Sequence, residues 1–287
     1  MKLPTFIIGG APKAGTTSLY HYLSSHPDVF MSPVKEPDYF DKHYHRGLDW
    51  YASLFDGRTQ ERCVGEASVD TLASPEALER VYDLIPDMRF VFALRDPADR
   101  AHSHYWFEIM RGGQRETRPF SSFIRDESNP WRNRVIELGM YGEQVERYVE
   151  RFGRDQVCAV RFEDLGTDRA AVLTSVLEFI GADSDALPAR EDRKTHNVTV
   201  YPKRPGAYRA IRMLWDPIRA RLGGRVFDWL YPIRSAVRDR FFSGDQGARP
   251  PLTDVDRAYL AAVYRSSNER LESLLGWDLS DWSGPES

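Results

Sequence analysis

A loop with two glycines, one lysine and two threonines lies near the start of the chain, between an apolar run and a helical pattern. It reads GAPKAGTTS from Gly10 to Ser18. Glycines let a backbone approach a ligand closely, and the unpaired N–H groups at a helix N-terminus attract anions. The glycine spacing matches the P-loop pattern, but that pattern has a lysine where this chain has Thr16, and Lys13 lies inside the loop instead. We therefore predict a phosphate-binding loop without the usual arrangement for a nucleoside triphosphate and magnesium.

A second pair of anion-binding residues follows a later apolar run. Arg95 comes directly after the run RFVFAL, and Ser103 lies eight residues further along, on a predicted helix. A guanidinium and a hydroxyl that converge at the end of a strand suit a second, separate phosphate. We interpret Arg100, which lies between them, as a structural residue that pairs with Asp96 or Asp99.

Four residues able to accept a proton lie in the segment after the first helical pattern. They are Glu36, Asp38, His43 and His45. Transfer of a group to a hydroxyl requires removal of its proton, and a carboxylate or imidazole within hydrogen-bond reach can remove it. Glu36 also has a simpler interpretation, as an exposed loop carboxylate paired with Lys35. The residue types alone leave these alternatives open.

The elements that must position these residues alternate between strand and helix. Apolar runs predict strands buried on both faces of a sheet at residues 5–9, 62–66, 89–94 and 156–162. Helical patterns are found at residues 16–25, 75–84, 97–110, 142–152, 168–180 and 254–275. This alternation predicts an α/β fold with a P-loop-like central parallel β-sheet flanked by helices. Because ligands bind beyond the carboxyl ends of parallel strands, we expect residues 10–17, 66–70 and 95–103 to lie close together.

The last third of the chain differs in composition from the rest. Residues 196–251 contain six prolines with many arginines and aromatic residues, and we interpret them as a helical lid within a single domain spanning 1–287. Within this lid, residues 201–242 contain ten basic and three acidic residues. A solvated lid surface, a site for an anionic or amphipathic acceptor and a membrane-surface contact are all compatible with that pattern.

The overall composition excludes several classes of protein. The net charge of −4 argues against a general nucleic-acid binder, which needs a basic surface. Two cysteines do not make a disulfide framework or a zinc site. No apolar run reaches the length of a membrane span or of a signal-peptide core, so we expect a cytoplasmic protein without a transmembrane segment.

The loop PKAGTTSL, followed by His26 and Pro27, resembles the 5′-phosphosulfate-binding loop of sulfotransferases that use 3′-phosphoadenosine 5′-phosphosulfate (PAPS). It is most similar to the branch that contains the heparan sulfate sulfotransferases and their bacterial relatives. The resemblance implies that Lys13 contacts the phosphosulfate and its bridging oxygen. It further implies that hydroxyls and backbone amides of the loop hold the phosphate, and the residues assigned to this role are Lys13, Ala14, Gly15, Thr16, Thr17 and Ser18.

Three further segments are similar to that family. RDPADRAHSHY resembles the pattern that binds the 3′-phosphate of PAPS, which assigns this role to Arg95 and Ser103. KEPDYF resembles the stretch that supplies the catalytic glutamate, which makes Glu36 the expected base ahead of Asp38 and the two histidines. The turn at Arg249 resembles a late loop that covers the adenosine phosphate, so Arg249 is assigned to cofactor binding.

One departure from the resembled branch affects the acceptor side. The heparan-type enzymes often read E-K-S after the second predicted strand, with a lysine near the reacting sulfate, and this chain has Glu66, Ala67 and Ser68 there. Because this lysine is missing, the acceptor is not identified. Glu66 and Ser68 are candidates for contact with the acceptor.

The sequence as a whole predicts a sulfotransferase. It would transfer a sulfuryl group from PAPS, without a metal, to a hydroxyl or amine of a saccharide, glycolipid or secondary metabolite. One alternative is a P-loop kinase or other nucleotide hydrolase, which predicts magnesium dependence. The other is a nucleotide-binding module without catalysis, which predicts cofactor binding without an active Glu36.

Overall fold

The computed structural model describes residues 2–111, 118–186 and 250–282. Within these ranges, five parallel strands form one sheet in the order β2-β3-β1-β4-β5. The strands are β1 (Phe6–Gly10), β2 (Val29–Met31), β3 (Cys63–Ala67), β4 (Arg89–Leu94) and β5 (Val157–Arg161). Strands β1 and β3 are buried along their whole length, as the continuous apolar runs predict.

Helices connect and flank these strands. They are α1 (Thr16–Ser24), α2 (Leu48–Ser53), α3 (Pro75–Leu84), α4 (Pro97–Arg111), α5 (Phe120–Ile124), α6 (Pro130–Glu137), α7 (Tyr141–Phe152), α8 (Asp164–Thr167), α9 (Arg169–Ile180) and α10 (Asp254–Leu275). The last helix, α10, packs against α7 and α4. In the part of the chain described, no helix has both the length and the apolar character that crossing a membrane requires.

The predicted α/β fold is confirmed, and the four predicted strands and six predicted helices are present with small differences at their ends. Strand β2 was not predicted, because three residues are too few to show a periodicity; it pairs with β3 through Val29 and Cys63. The predicted lid at residues 196–251 lies outside the described residues except for its last two, and Arg249 lies outside them too.

Two faces of α4 have different roles. One face carries Ala98, Ala101, Tyr105 and Ile109, which pack into an apolar cluster shared with α5, α6 and α10. Residues three and four apart lie on the same side of a helix, so the opposite face carries the set Arg100, Ser103, His104 and Phe107. The apolar face therefore packs α4 against α5, α6 and α10, and the second face carries the polar residues Arg100, Ser103 and His104.

Candidate active site

The loops that follow β1, β3 and β4 are tied together at the carboxyl edge of the sheet. The amide of Ala11 donates to the carbonyl of Ala93 at 2.6 Å, and the amide of Ser68 donates to the carbonyl of Ile8 at 3.1 Å. The segment that carries Glu36 joins them, since the Glu36 amide donates to a β3 carbonyl at 2.8 Å. The three sequence regions expected to converge therefore do so.

The phosphate loop leads into a helix start that no side chain caps. Helix α1 begins at Thr16 after Gly15, and neither a side-chain cap nor an acidic residue occupies its first turn. In contrast, Ser74 caps α3 by accepting a hydrogen bond from an amide in its first turn. An uncapped N-terminus with no acidic residue in its first turn is suited to an anion.

Gly15 is required at its position for two reasons. Its φ of 85° lies in the left-handed region, and a Cβ atom built there would come within 2.8 Å of the Phe162 ring. The loop can therefore make its turn into α1 and pack against the end of β5 only with a glycine at this point.

Lys13 connects the phosphate loop to α4. Its ammonium nitrogen lies 3.7 Å from the centroid of the Phe107 ring, which is on the second face of α4. Its carbonyl accepts a hydrogen bond from Nη1 of Arg95 at 3.4 Å. The two anion-binding regions predicted from the sequence are thus in direct contact.

The turn that carries Arg95 is held by the last helix. The Asp96 carboxylate accepts from the amide of Ala98 at 2.8 Å, which caps α4. Arg257 of α10 pairs with Asp96 at 2.5 Å and with Asp99 at 2.9 Å. Desolvation of the Asp96 carboxyl raises its pKa to about 6. Arg257, which is far along the chain, therefore helps to position the turn that carries Arg95. Nothing in the local sequence motif indicated this contact.

Arg100 is structural, as expected, but the predicted partners are wrong. Both carboxylates that were expected to pair with it are taken by Arg257. Arg100 is instead fully buried; its guanidinium donates to the Val135 carbonyl and to Nδ1 of His104, the latter at 3.3 Å. The Arg100 side chain thereby links α4 to α6.

His104 was not assigned to the site from the sequence. Burial, with the positive charges of Arg100 and Lys13, lowers its pKa to about 3. Arginine only donates hydrogen bonds, so Nδ1 accepts and the neutral ring carries its proton on Nε2. The shared spacing of Arg100, Ser103, His104 and Phe107 on one helix face is the sequence signal that could have identified His104 and Phe107. Ser103 itself is buried, on the same face.

Glu36 and Asp38 occupy different environments in one loop. The Glu36 side chain is 45% exposed, and its carboxylate pairs with Lys35 at 2.6 Å. The Asp38 side chain is only 12% exposed, and its Oδ2 accepts from Lys42 at 2.8 Å. The other oxygen, Oδ1, is buried and has no hydrogen-bond partner among the described residues, and burial raises the pKa of this carboxyl. His45 is exposed and His43 half-buried, further along the same segment.

Glu66 and Ser68 are not exposed for contact with an acceptor, which corrects the expectation from the sequence. Both are buried beneath the Glu36 segment. Glu66 accepts hydrogen bonds from Tyr51 at 3.1 Å and from Ser68 at 2.6 Å. Desolvation, together with the nearby charge of Asp38, raises the pKa of Glu66 to about 7.

Titration of Glu66 is expected to make stability fall as pH rises. Its folded-state pKa of about 7 exceeds the ordinary value of 4.5, so the folded protein holds this proton more tightly than the unfolded chain does. The stabilisation is complete below pH 4.5 and is lost as pH rises through 7. The free energy of unfolding of the wild type minus that of Glu66→Gln should fall by about 3 kcal/mol over this range. Urea titrations at each pH measure it, and a difference that does not vary with pH would contradict the raised pKa.

Comparison with known proteins identifies the family to which the chain belongs. A family model described as "Sulfotransferase domain" matches residues 3–200. The chain belongs to the sulfotransferase domain family. The family predicted from the motifs is thereby confirmed, and it is a family of enzymes.

Related proteins support the sulfotransferase assignment. A solved sulfotransferase structure from Alicyclobacillus acidocaldarius matches with a TM-score of 0.70 and 29% identity, covering 98% of this chain and 99% of that one. The human bifunctional heparan sulfate N-deacetylase/N-sulfotransferase 3 is 30% identical over 63% of this sulfotransferase and 22% of the relative. The mouse heparan sulfate glucosamine 3-O-sulfotransferase 3A1 is 32% identical over 63% of this chain and 46% of the relative. The chain thus matches less than half the length of these curated relatives.

Proposed function

We propose that this chain transfers a sulfuryl group from PAPS to a hydroxyl or amine of an acceptor. The observation that carries this proposal is the contact between the Lys13 carbonyl and the Arg95 guanidinium at 3.4 Å. It joins an uncapped helix N-terminus to a separate cationic anchor. A nucleotide with anionic groups at both its 5′ and 3′ positions is the kind of ligand that fits two adjacent anion sites.

The residues of the loop and of α4 would hold PAPS without a metal. Lys13 and the first amides of α1 suit the 5′-phosphosulfate, while Arg95 and Ser103 suit the 3′-phosphate. When bound, PAPS supplies the sulfuryl group, and 3′-phosphoadenosine 5′-phosphate (PAP) is the product. The Lys13 ammonium and the loop amides would stabilise negative charge on the bridging oxygen as the bond to sulfur breaks, which is electrostatic preorganisation.

Glu36 is the proposed base that takes the proton from the acceptor. Its carboxylate is partly exposed, so an acceptor can reach it, and the ion pair with Lys35 restrains its position. Asp38 is less suited, because its side chain is buried and paired with Lys42. His43 and His45 are the remaining alternatives. In this arrangement the acceptor proton moves to Glu36 as the acceptor oxygen bonds to sulfur.

The acceptor class is a saccharide, a glycolipid or a secondary metabolite. The names of two curated relatives include heparan sulfate, which supports a saccharide as the acceptor of this chain. The alanine in place of the family's lysine at the end of β3, Ala67, argues against an acceptor that needs a second cation there. Residues 201–242 remain the proposed site of acceptor choice or of membrane-surface contact, and they lie outside the described residues.

PAP is expected to stabilise the protein more than 5′-AMP does, and to do so without magnesium. The reason is that 5′-AMP lacks the group that Arg95 and Ser103 would bind. A ligand at about 100 times its dissociation constant adds about 2.7 kcal/mol to the free energy of unfolding. Thermal unfolding with PAP, 5′-AMP, ATP and GTP, each with and without magnesium, measures this difference. Stabilisation by ATP only with magnesium would favour the nucleotide-hydrolase alternative.

Two serine-to-alanine variants test the assignment of Ser103 to the 3′-phosphate. Ser103→Ala should remove much of the advantage of PAP over 5′-AMP, because it deletes the proposed hydroxyl contact. Ser24→Ala is the matched control, since Ser24 is exposed at the far end of α1. An unchanged ratio of PAP to 5′-AMP affinity in Ser103→Ala would remove Ser103 from the site.

A further inference from the structure

We propose that the buried pair Glu66 and Ser68 positions the loop that carries Glu36. The pair would act through hydrogen bonds to the backbone of this loop and not by contact with substrate. The proposal rests on the proposed function, in which Glu36 is the base. It assigns a role to two buried polar residues that the transfer reaction itself does not use.

A continuous chain of hydrogen bonds links the pair to the loop. Oε2 of Glu66 accepts from the Ser68 hydroxyl at 2.6 Å, and the same hydroxyl oxygen accepts from the Asp38 amide at 3.1 Å. Two residues earlier, the Glu36 amide donates to the Ala67 carbonyl at 2.8 Å. Pro37 lies between them and has no amide hydrogen. Both N–H groups of this tripeptide are therefore used to bind it to the last residue of β3 and to the residue that follows.

The loop needs these anchors because its backbone is strained. Glu36 has a φ of 59° and Asp38 a φ of 48°, in a region that side chains other than glycine seldom adopt. Among the described residues, the one other non-glycine residue with positive φ is Lys13. Such conformations persist only where the surroundings enforce them, and they cluster at functional sites. Without the Ser68 contact, Asp38 and its neighbours would be free to relax toward ordinary backbone angles.

Glu66 determines which way the Ser68 hydroxyl points. A hydroxyl has one hydrogen and two acceptor lone pairs, and a carboxyl acceptor on one side directs the hydrogen there. The lone pairs are then available to the Asp38 amide. The other oxygen of Glu66 accepts separately from the Tyr51 hydroxyl at 3.1 Å, on a branch that does not lead to the loop. Burial of a carboxyl costs free energy unless the carboxyl is hydrogen-bonded. The hydrogen bonds from Tyr51 and Ser68 satisfy the two oxygens of Glu66.

Hydrogen exchange and kinetics on a small set of variants test the proposal. Ser68→Ala should speed exchange of the Asp38 and Glu36 amides and lower kcat by on the order of 10²-fold, as expected for a misplaced catalytic group. The KM for PAPS and the stabilisation by PAP should not change, because the phosphate loop is not altered. Ser68→Thr keeps the hydroxyl, and Glu66→Gln keeps an acceptor for it; both should retain the slow exchange and most of the turnover.

Tyr51→Phe is the matched control. It removes the other hydrogen bond of the same buried carboxyl but leaves the path from Glu66 through Ser68 to Asp38 intact. It should lower the free energy of unfolding while amide exchange in the loop and kcat stay near wild type. Ser68→Ala with slow amide exchange and normal kcat would overturn the proposal. So would Glu66→Gln with lost turnover and unchanged exchange, since that result assigns the carboxyl a direct chemical part. Absence of any sulfuryl transfer by the wild type would instead overturn the proposed function, while the exchange result would still report on the anchor.

Discussion

Replacing Lys13 with alanine is expected to lower kcat by about 10²–10³-fold, the usual effect of removing one preorganised donor to developing charge. The ammonium lies at the meeting point of the phosphate loop and α4, against the ring of Phe107. Charge on the bridging oxygen grows as the reaction proceeds, so the contribution of Lys13 is greatest in the transition state. PAP binding should therefore survive in part. Steady-state kinetics together with PAP titration separate the two effects.

Two further variants define the role of Lys13. Lys13→Met keeps most of the side-chain volume without the charge, so it should match the alanine variant if charge is what matters. Lys2→Ala is the control, because Lys2 lies before β1, away from the carboxyl edge of the sheet, and donates to the Arg58 carbonyl. An unchanged kcat in Lys13→Ala would remove this residue from the mechanism, whatever its effect on binding.

The strands and helices could be predicted because their signals are local. The run RFVFAL is buried along nearly all of β4, and the periodic pattern of residues 254–275 forms one helix over that range. The conformation of the loop before α1 could be predicted for the same reason, since Gly15, Lys13 and the uncapped start of α1 lie within a few residues of one another. Strand β2 had no such signal, because its three residues are defined by pairing with β3.

The arrangement of the site depends on contacts between residues far apart in the chain, and these could not be predicted. Arg257 takes both Asp96 and Asp99, so Arg100 binds a carbonyl on α6 instead. Similarly, Ser68 follows Asp38 by 30 residues, and only the parallel sheet brings its hydroxyl to that amide. Sequence identified which residue types were present at the edge of the sheet, while packing decided which of them are exposed and which are buried and support the others.

Replacing Glu36 with glutamine is expected to cut turnover by about 10²–10⁴-fold, the usual contribution of a general base. Glutamine keeps the shape of the side chain but cannot take a proton from the acceptor. The amide of residue 36 still donates to the Ala67 carbonyl, so the loop should keep its conformation. PAP binding should stay nearly intact, and the acidic limb of the pH–rate profile should disappear. Turnover measured across pH, with PAP titration alongside, gives both results.

Three variants test the rival bases in the same segment: Asp38→Asn, His43→Ala and His45→Ala. If Glu36→Gln keeps most of its activity while one of these loses turnover, the base is that residue. Asp38→Asn needs care, because Asp38 pairs with Lys42 and its amide anchors the loop; exchange of the loop amides shows whether a loss reflects chemistry or position. If all four variants remain active, the acceptor is a nucleophile that needs no base, such as a phenolate. That result would leave sulfuryl transfer in place and exclude a saccharide hydroxyl as the acceptor, because an alcohol must lose its proton as the bond to sulfur forms.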